Sequence, residues 1–224
     1  IPFAMFVVGF PLAVFVLYAI AEPARELPQT GIAYLRGAVA ALPTGPALGL
    51  YTTAILVDFA TFGAILTAVP FVLVGEYRTA PVVIGGVITA NLVVSAVVSA
   101  NNGRLAARLP ERQLIGMGFV AFGVGLLAAW VANGPLQFGI AAVVFGSGYG
   151  LIFPSVDASI TTIAPSSYRA GALSLRNSAT FLGRGTGPLV FALAAAAIGY
   201  RPVLGLSGGI ILLVGVVALV VTRR

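Results

Sequence analysis

Six stretches, residues 46–73, 82–100, 114–132, 136–162, 170–198 and 202–221, are each long and apolar enough to cross a bilayer. The hydrocarbon layer takes about 20 apolar residues per helix, at about 1.5 Å of rise each. A seventh stretch, residues 1–20, meets the same length. The chain therefore reads as an all-α membrane protein of about seven transmembrane helices. The runs are continuous, whereas membrane β-strands alternate apolar and polar over roughly ten residues. Hydrophobic residues make up 59% of the 224. A water-soluble domain of that size cannot hide so much apolar surface.

The arginines orient the runs. All twelve basic residues are Arg, set against six acidic ones. Arg25 and Arg36 lie in 21–45, Arg104, Arg108 and Arg112 in 101–113, Arg169 in 163–169, and Arg223 and Arg224 at the end. The alternate connections hold only Arg78 and Arg201. Basic loops stay on the cytoplasmic side. The expected protein is a multi-pass one of the plasma membrane with its C-terminus in the cytoplasm. No basic stripe with interleaved aromatics exists, so nucleic acid is not an expected partner. The chain has no Cys and no His. That removes disulfides, the commonest metal ligand and the commonest general base. No cofactor or metal is expected. Ile1 already lies inside an apolar run with no basic start before it, so the chain reads as the downstream part of a longer protein.

The longest connection divides the chain into 1–20, 21–45 and 46–224. Glu22, Pro23, Arg25, Glu26 and Pro28 stop a helix and stay wet. Beyond them Ile32, Leu35, Val39 and Leu42 recur at helical spacing beside Arg36. This is either a short helix on the cytoplasmic membrane surface or a loosely ordered linker.

Polar residues are shared unevenly among the later runs. Tyr51, Asp58 and Thr61 fall on one helical face of the second, and Asn91, Ser95 and Ser99 on one face of the third. Ser147, Gly150, Pro154, Asp157 and Thr161 line the fifth; Asn177, Thr180, Arg184 and Gly187, with Arg176 beside them, line the sixth. The run 114–132 has no strongly polar side chain, and 202–221 has only Ser207. A polar stripe faces protein or a water-filled cavity rather than lipid. Four runs are thus expected around a polar interior, with 114–132 and 202–221 outside against lipid. A single hydroxyl usually bonds back to its own helix, so the inference rests on the four together.

Asp58 lies about twelve residues into its run, roughly 18 Å along the axis and near the bilayer midplane. Arg184 reaches a similar depth in the sixth run. A central Arg costs about 2.5–3.5 kcal/mol on insertion scales, and needs a carboxylate, a wet cavity or a bound anion. Asp58 and Arg184 are the leading functional pair, either a site for carrying a proton or cation or a fixed ion pair that sets helix register. Asp157 and Arg176 lie nearer the cytoplasmic ends. Asp157 has Arg104, Arg108 and Arg176 within reach as latch partners. Gly183 and Gly187 form a small-residue pair around Arg184, with Pro188 following.

Four stretches resemble the major facilitator superfamily. Residues 102–112 (NGRLAARLPER) are similar to the family's Gly-x-Leu-x-Asp-Arg-x-Gly-Arg-Arg loop: Gly103, Leu105, Arg108 and Arg112 fit, while Ala107 replaces the acid and Pro110 the second glycine. Asp157 sits where that family places an acidic partner for the loop. Gly183, Gly187 and Pro188 resemble its antiporter signature, which properly belongs to the absent fifth helix. Residues 62–71 resemble the seventh helix of drug and metabolite exporters, and Ala164, Pro165, Arg169 and Gly171 the start of the eleventh.

The resemblance covers the whole chain. It implies that 1–20 is the last helix of an N-terminal half, 21–45 the central cytoplasmic loop, and 46–224 the C-terminal six-helix domain. It implies a secondary active transporter that moves a small solute by alternating access, as proton-coupled export. Sodium coupling, or a uniporter or symporter for a sugar or metabolite, stays open. On that reading Asp58 is the coupling candidate and Arg184 the substrate candidate, with Asn91, Tyr51 and Asn177 lining the path. Gly103, Arg108, Arg112, Asp157 and Arg176 are the cytoplasmic gate candidates. The implied partners are the solute, a proton or sodium ion, the lipid bilayer and the missing N-terminal half. Two other classes are a membrane-embedded enzyme, which the lack of His and Cys disfavours, and a non-transporting scaffold or receptor.

Overall fold

Proline and backbone turns punctuate the helices. The computed structural model describes residues 11, 14, 15, 18, 31–42 and 44–222. Helix α1 is Ile32–Ala41. Helix α2, Thr44–Ala60, runs through a π-helical segment, Thr61–Ala68, into α3, Val69–Tyr77. There follow α4 (Pro81–Ala106), α5 (Glu111–Val131), α6 (Pro135–Ile163), α7 (Arg169–Ile198, after a 3-10 turn Ser166–Tyr168) and α8 (Tyr200–Thr222). Pro81 and Pro135 open α4 and α6, where the missing N–H is not needed. Arg78 ends α3 in the left-handed conformation, and Gly199, at φ 86°, breaks α7 from α8. No strand occurs among the described residues.

Six stretches are long and apolar enough to cross a membrane: Gly45–Tyr77, Pro81–Ala106, Glu111–Val131, Pro135–Ile163, Ser166–Ile198 and Tyr200–Val221. They coincide with the six runs read from the sequence. The expected first span, 1–20, falls almost wholly outside the described residues. The chain divides into a unit Ile1–Tyr34 and a unit Leu35–Arg224 that holds the six long helices. The expected stripe on α1 is split: Ile32 and Val39 are exposed, whereas Ala38 and Leu42 are buried.

Within Leu35–Arg224, α5 packs broadly on α6 and α8, α4 packs on α6, and α2 with its π segment packs on α7. The line where α6 meets α7 is much thinner. Phe119, Phe122, Leu126, Phe138, Phe145 and Ile152 form the heart of the core. The Phe122 and Phe145 rings lie 3.8 Å apart between centroids.

The run 114–132 packs closely on its neighbours: 56% of the most apolar window of α5 is buried, against 11% for α4 and 22% for α7. Small residues explain it. A methyl group at Gly123 would strike the Leu212 backbone in α8, and one at Gly125 the Phe145 backbone in α6. Where backbones approach this closely, packing alone holds helices together without polar atoms. Glycines on two faces thus seat this apolar run between α6 and α8, while Met117, Val124 and Val131 stay exposed. The helix rich in exposed apolar side chains is α8, with Leu206, Ile210, Leu213, Val217, Val220 and Val221 turned outward.

Candidate functional site

Two glycines bring the two central charges together. Gly183 of α7 lies against the Ile55 carbonyl of α2, and Gly187 against the Phe59 carbonyl, with no room for a Cβ at either. The interval between them carries Arg184, and the facing interval of α2 carries Asp58. The close approach lets Arg184 Nε donate to Asp58 Oδ1 at 2.9 Å. The Asp58 side chain is 2% exposed and that of Arg184 33%. A carboxylate so enclosed needs its partner, since an uncompensated charge there costs about 3–5 kcal/mol. The guanidinium also lies 5.2 Å from the Phe62 ring centroid and 5.3 Å from that of Phe181. Both charges sit near the middle of their spans, Gly45–Tyr77 and Ser166–Ile198.

Arg184 opens on a cavity of about 200 Å³. Thr61, Phe62, Ile65 and Leu66 of the π segment form one wall, Ile88, Asn91, Leu92 and Ser95 of α4 another, and Tyr149 of α6 a third. The π segment is part of the reason for this wall. Its wider turn, supported by Thr67 Oγ1 donating to the Phe62 carbonyl five residues back at 2.9 Å, lines the cavity with four of its residues. The opposite wall is set by Gly146 and Gly150, which let α6 approach the carbonyls of Asn91 and Ser95. Asn91 is 3% exposed, and its Nδ2 has no partner among the described residues.

A second ion pair lies toward the C-terminal end of α6 and the N-terminal end of α7. Arg176 Nε stands 3.1 Å from Asp157 Oδ1, with Arg176 5% exposed and Asp157 35%. The Arg176 guanidinium lies 3.9 Å over the Phe153 ring, and Phe153 stacks on Tyr149 at 5.6 Å. Tyr149, Phe153 and Asp157 follow one another at steps of four on α6, as do Arg176, Thr180 and Arg184 on α7. The two stripes face each other and link the ion pairs at the two depths.

The other expected site residues are placed as follows. Tyr51 lies outside the cavity and donates from its hydroxyl to the Ala172 carbonyl at 3.3 Å. Asn177 is exposed and accepts from Arg176 Nη1 at 3.2 Å. Gly103, Arg108 and Arg112 are exposed, and neither arginine reaches Asp157, which is engaged by Arg176 instead. Arg104 donates to Asn101 Oδ1 at 3.0 Å, within its own helix. Among the described residues no group of three or more His, Cys, Asp or Glu could hold a metal ion.

Sequence reasoning missed three features. Tyr149 stands beside both Asp58 and Arg184, but a lone tyrosine in an apolar run carries no signal. Asn102 Nδ2 donates to Ser155 Oγ at 3.2 Å, a buried tie between α4 and α6. Arg201 ties three helix ends. Its Nε donates to Glu76 Oε2 at 2.6 Å, Nη1 to the Trp130 carbonyl at 2.9 Å, and Nη2 to the Ala132 carbonyl at 2.7 Å and to the Tyr77 hydroxyl.

Comparison with known proteins adds the lineage. "Multidrug resistance protein MdtG" of Erwinia billingiae (strain Eb661) is 27% identical over 180 residues, covering 79% of this chain and 44% of that protein. The protein of the same name from Klebsiella pneumoniae (strain 342) is 25% identical over 179 residues, covering 79% and 43%. That from Escherichia coli (strain K12 / DH10B) is 26% identical over 201 residues, covering 88% and 49%. The chain thus spans about half the length of the curated relatives it matches. Residues 50–224, which hold both ion pairs and the cavity, match the Major Facilitator Superfamily, and the chain belongs to that family.

Proposed function

We propose that this chain supplies the C-terminal half of a secondary transporter that moves a small solute across the plasma membrane by alternating access. Export is driven by a proton gradient. Two halves of such a carrier rock about a site near the bilayer midplane. The N-terminal half would complete the cavity wall, and this chain alone would not carry solute. The relatives named for multidrug resistance favour export as the direction.

The observation that carries the reading is Asp58. It is a carboxylate 1% exposed, near the middle of the span Gly45–Tyr77, joined to an arginine that lines a cavity. An ionisable residue so placed in a membrane segment marks an ion or substrate path by default. Exchange of the Arg184 bond for a proton gives Asp58 two states, charged and paired or neutral and released. Asp157 and Arg176 act as a latch near the Arg-rich, cytoplasmic side, closing α6 on α7 in one state and parting in the other.

The test is made in the full-length protein, reconstituted in vesicles. Asp58→Asn abolishes gradient-driven flux and leaves counterflow of bound solute. Gradient-driven flux unchanged in that variant would remove Asp58 from the mechanism.

A further inference from the structure

On the reading of the cavity as a solute site, the wall this chain supplies is selective in its chemistry. Its one charged group, Arg184, is a donor. Arg184 gives Nε to Asp58, stands beside the Tyr149 hydroxyl, and lines the cavity with a side chain that is 33% exposed. Asn91 Nδ2 is buried and unpartnered among the described residues, in the same cavity. An unmade hydrogen bond on a buried donor is costly, so an occupant that accepts from it is favoured. Asp58, the acid of the site, does not line the cavity: it lies behind Arg184, 1% exposed. An entering cation would meet a guanidinium first. An entering anion would meet two donors, one of them charged.

Apart from the hydroxyls of Thr61, Ser95 and Tyr149, the remaining lining is apolar: Phe62, Ile65, Leu66, Ile88 and Leu92. An apolar cavity of about 150 Å³ admits a benzene ring. The present one, at about 200 Å³, has room for a ring and a short tail.

We propose that this wall selects small solutes with an apolar body and an anionic, hydrogen-bond-accepting head of the carboxylate kind, held by Arg184 and Asn91, over amine cations of the same shape. Charge-assisted bonds to a carboxylate are about twice as strong as neutral ones, and Arg binds planar anions through two parallel N–H groups.

The test uses three probes of one shape: 3-phenylpropionate, 3-phenylpropanol and 3-phenylpropylamine. Each is titrated against the full-length protein in lipid nanodiscs at pH 7 and fixed salt. The carboxylate binds at least about tenfold tighter than the amine, with the alcohol between them. Asn91→Leu lowers carboxylate affinity about tenfold, more than it lowers that of the alcohol. Arg184 is removed without stranding its partner in the double variant Asp58→Asn, Arg184→Gln, and the preference for the carboxylate disappears. An amine bound as tightly as the carboxylate, no binding of any probe, or a preference that survives the double variant overturns the assignment. The transport reading falls separately. Asp58-dependent efflux of the amine would sink the anion preference and keep the carrier. Carboxylate binding through Arg184 and Asn91 beside Asp58-independent flux would do the reverse.

Discussion

Gly187 packs so closely on the Phe59 backbone that even a methyl group would collide with it. The contact fixes the separation of α2 and α7, and with it the reach of Arg184 to Asp58. Gly187→Val forces the helices apart. Overpacking of this kind costs about 1–3 kcal/mol. The unfolding midpoint of the purified protein falls, and the effect of Asp58→Asn on stability shrinks in this background because the pair is already stretched. Gly185, with open space around its Cβ position, is the control. Gly185→Ala leaves the midpoint within experimental scatter.

The Asp58–Arg184 pair behaves as a unit. Arg184→Gln strands a carboxylate that is 2% exposed, and lowers stability by about 3–5 kcal/mol. Adding Asp58→Asn restores most of that loss. A double-mutant cycle on denaturation in detergent measures the coupling. Purely additive effects would show that the pair does not interact.

For the second pair the order of costs follows exposure. Asp157 is 35% exposed and can be hydrated alone, whereas Arg176 is 5% exposed. Asp157→Asn leaves Arg176 a buried cation with Phe153 and Asn177 as its neighbours. Arg176→Met keeps the volume and leaves an acid that water can reach. Asp157→Asn therefore destabilises more than Arg176→Met, as read by thermal unfolding of the two variants side by side. The opposite order would mean that packing of the Arg176 stem outweighs its charge.

Much of this was readable beforehand, for identifiable reasons. Helix number and limits follow from apolar length. Asp58 and Arg184 stood out because charge is rare in such runs. Their pairing was foreseeable from matching depth, and Gly183 and Gly187 marked the contact. The close seating of α5 between α6 and α8 is not legible from polarity, because it rests on glycines rather than on polar side chains. The π segment Thr61–Ala68 had no signature, since its hydrogen bonds differ from those of an α-helix by a single residue of register. Asp157 had three arginines within reach on paper. Only the antiparallel run of α6 and α7 selects Arg176.

From sequence Arg201 shows only as one of two arginines on the alternate connections, because its role needs the ends of α3, α5 and α8 in one place. Its guanidinium meets the carbonyls of Trp130 and Ala132 and the Glu76 carboxylate. Arg201→Lys replaces a planar fork by a point charge and does not hold all three. Both Arg201→Lys and Arg201→Ala lower the melting midpoint. The loss is about 1–2 kcal/mol, since charged hydrogen bonds are weakened where water competes at a Glu76 that is 44% exposed. A lysine variant as stable as the parent would show that charge alone suffices.

The thin line between α6 and α7 gives this bundle a preferred direction of yielding. Sliding α5 along α6 or α8 would open voids where backbone meets backbone, and close-packed interiors resist voids. Along α6 and α7 the contacts are guanidinium groups, carboxylates, aromatic faces and the hydroxyl of Thr180, which trade neighbours without leaving a hole. The molecule is divided like a book with a stiff cover of α4, α5, α6 and α8 and a loose page of α2 and α7: the Asp157–Arg176 salt bridge is stitched where it opens, and the Asp58–Arg184 bridge holds the page together.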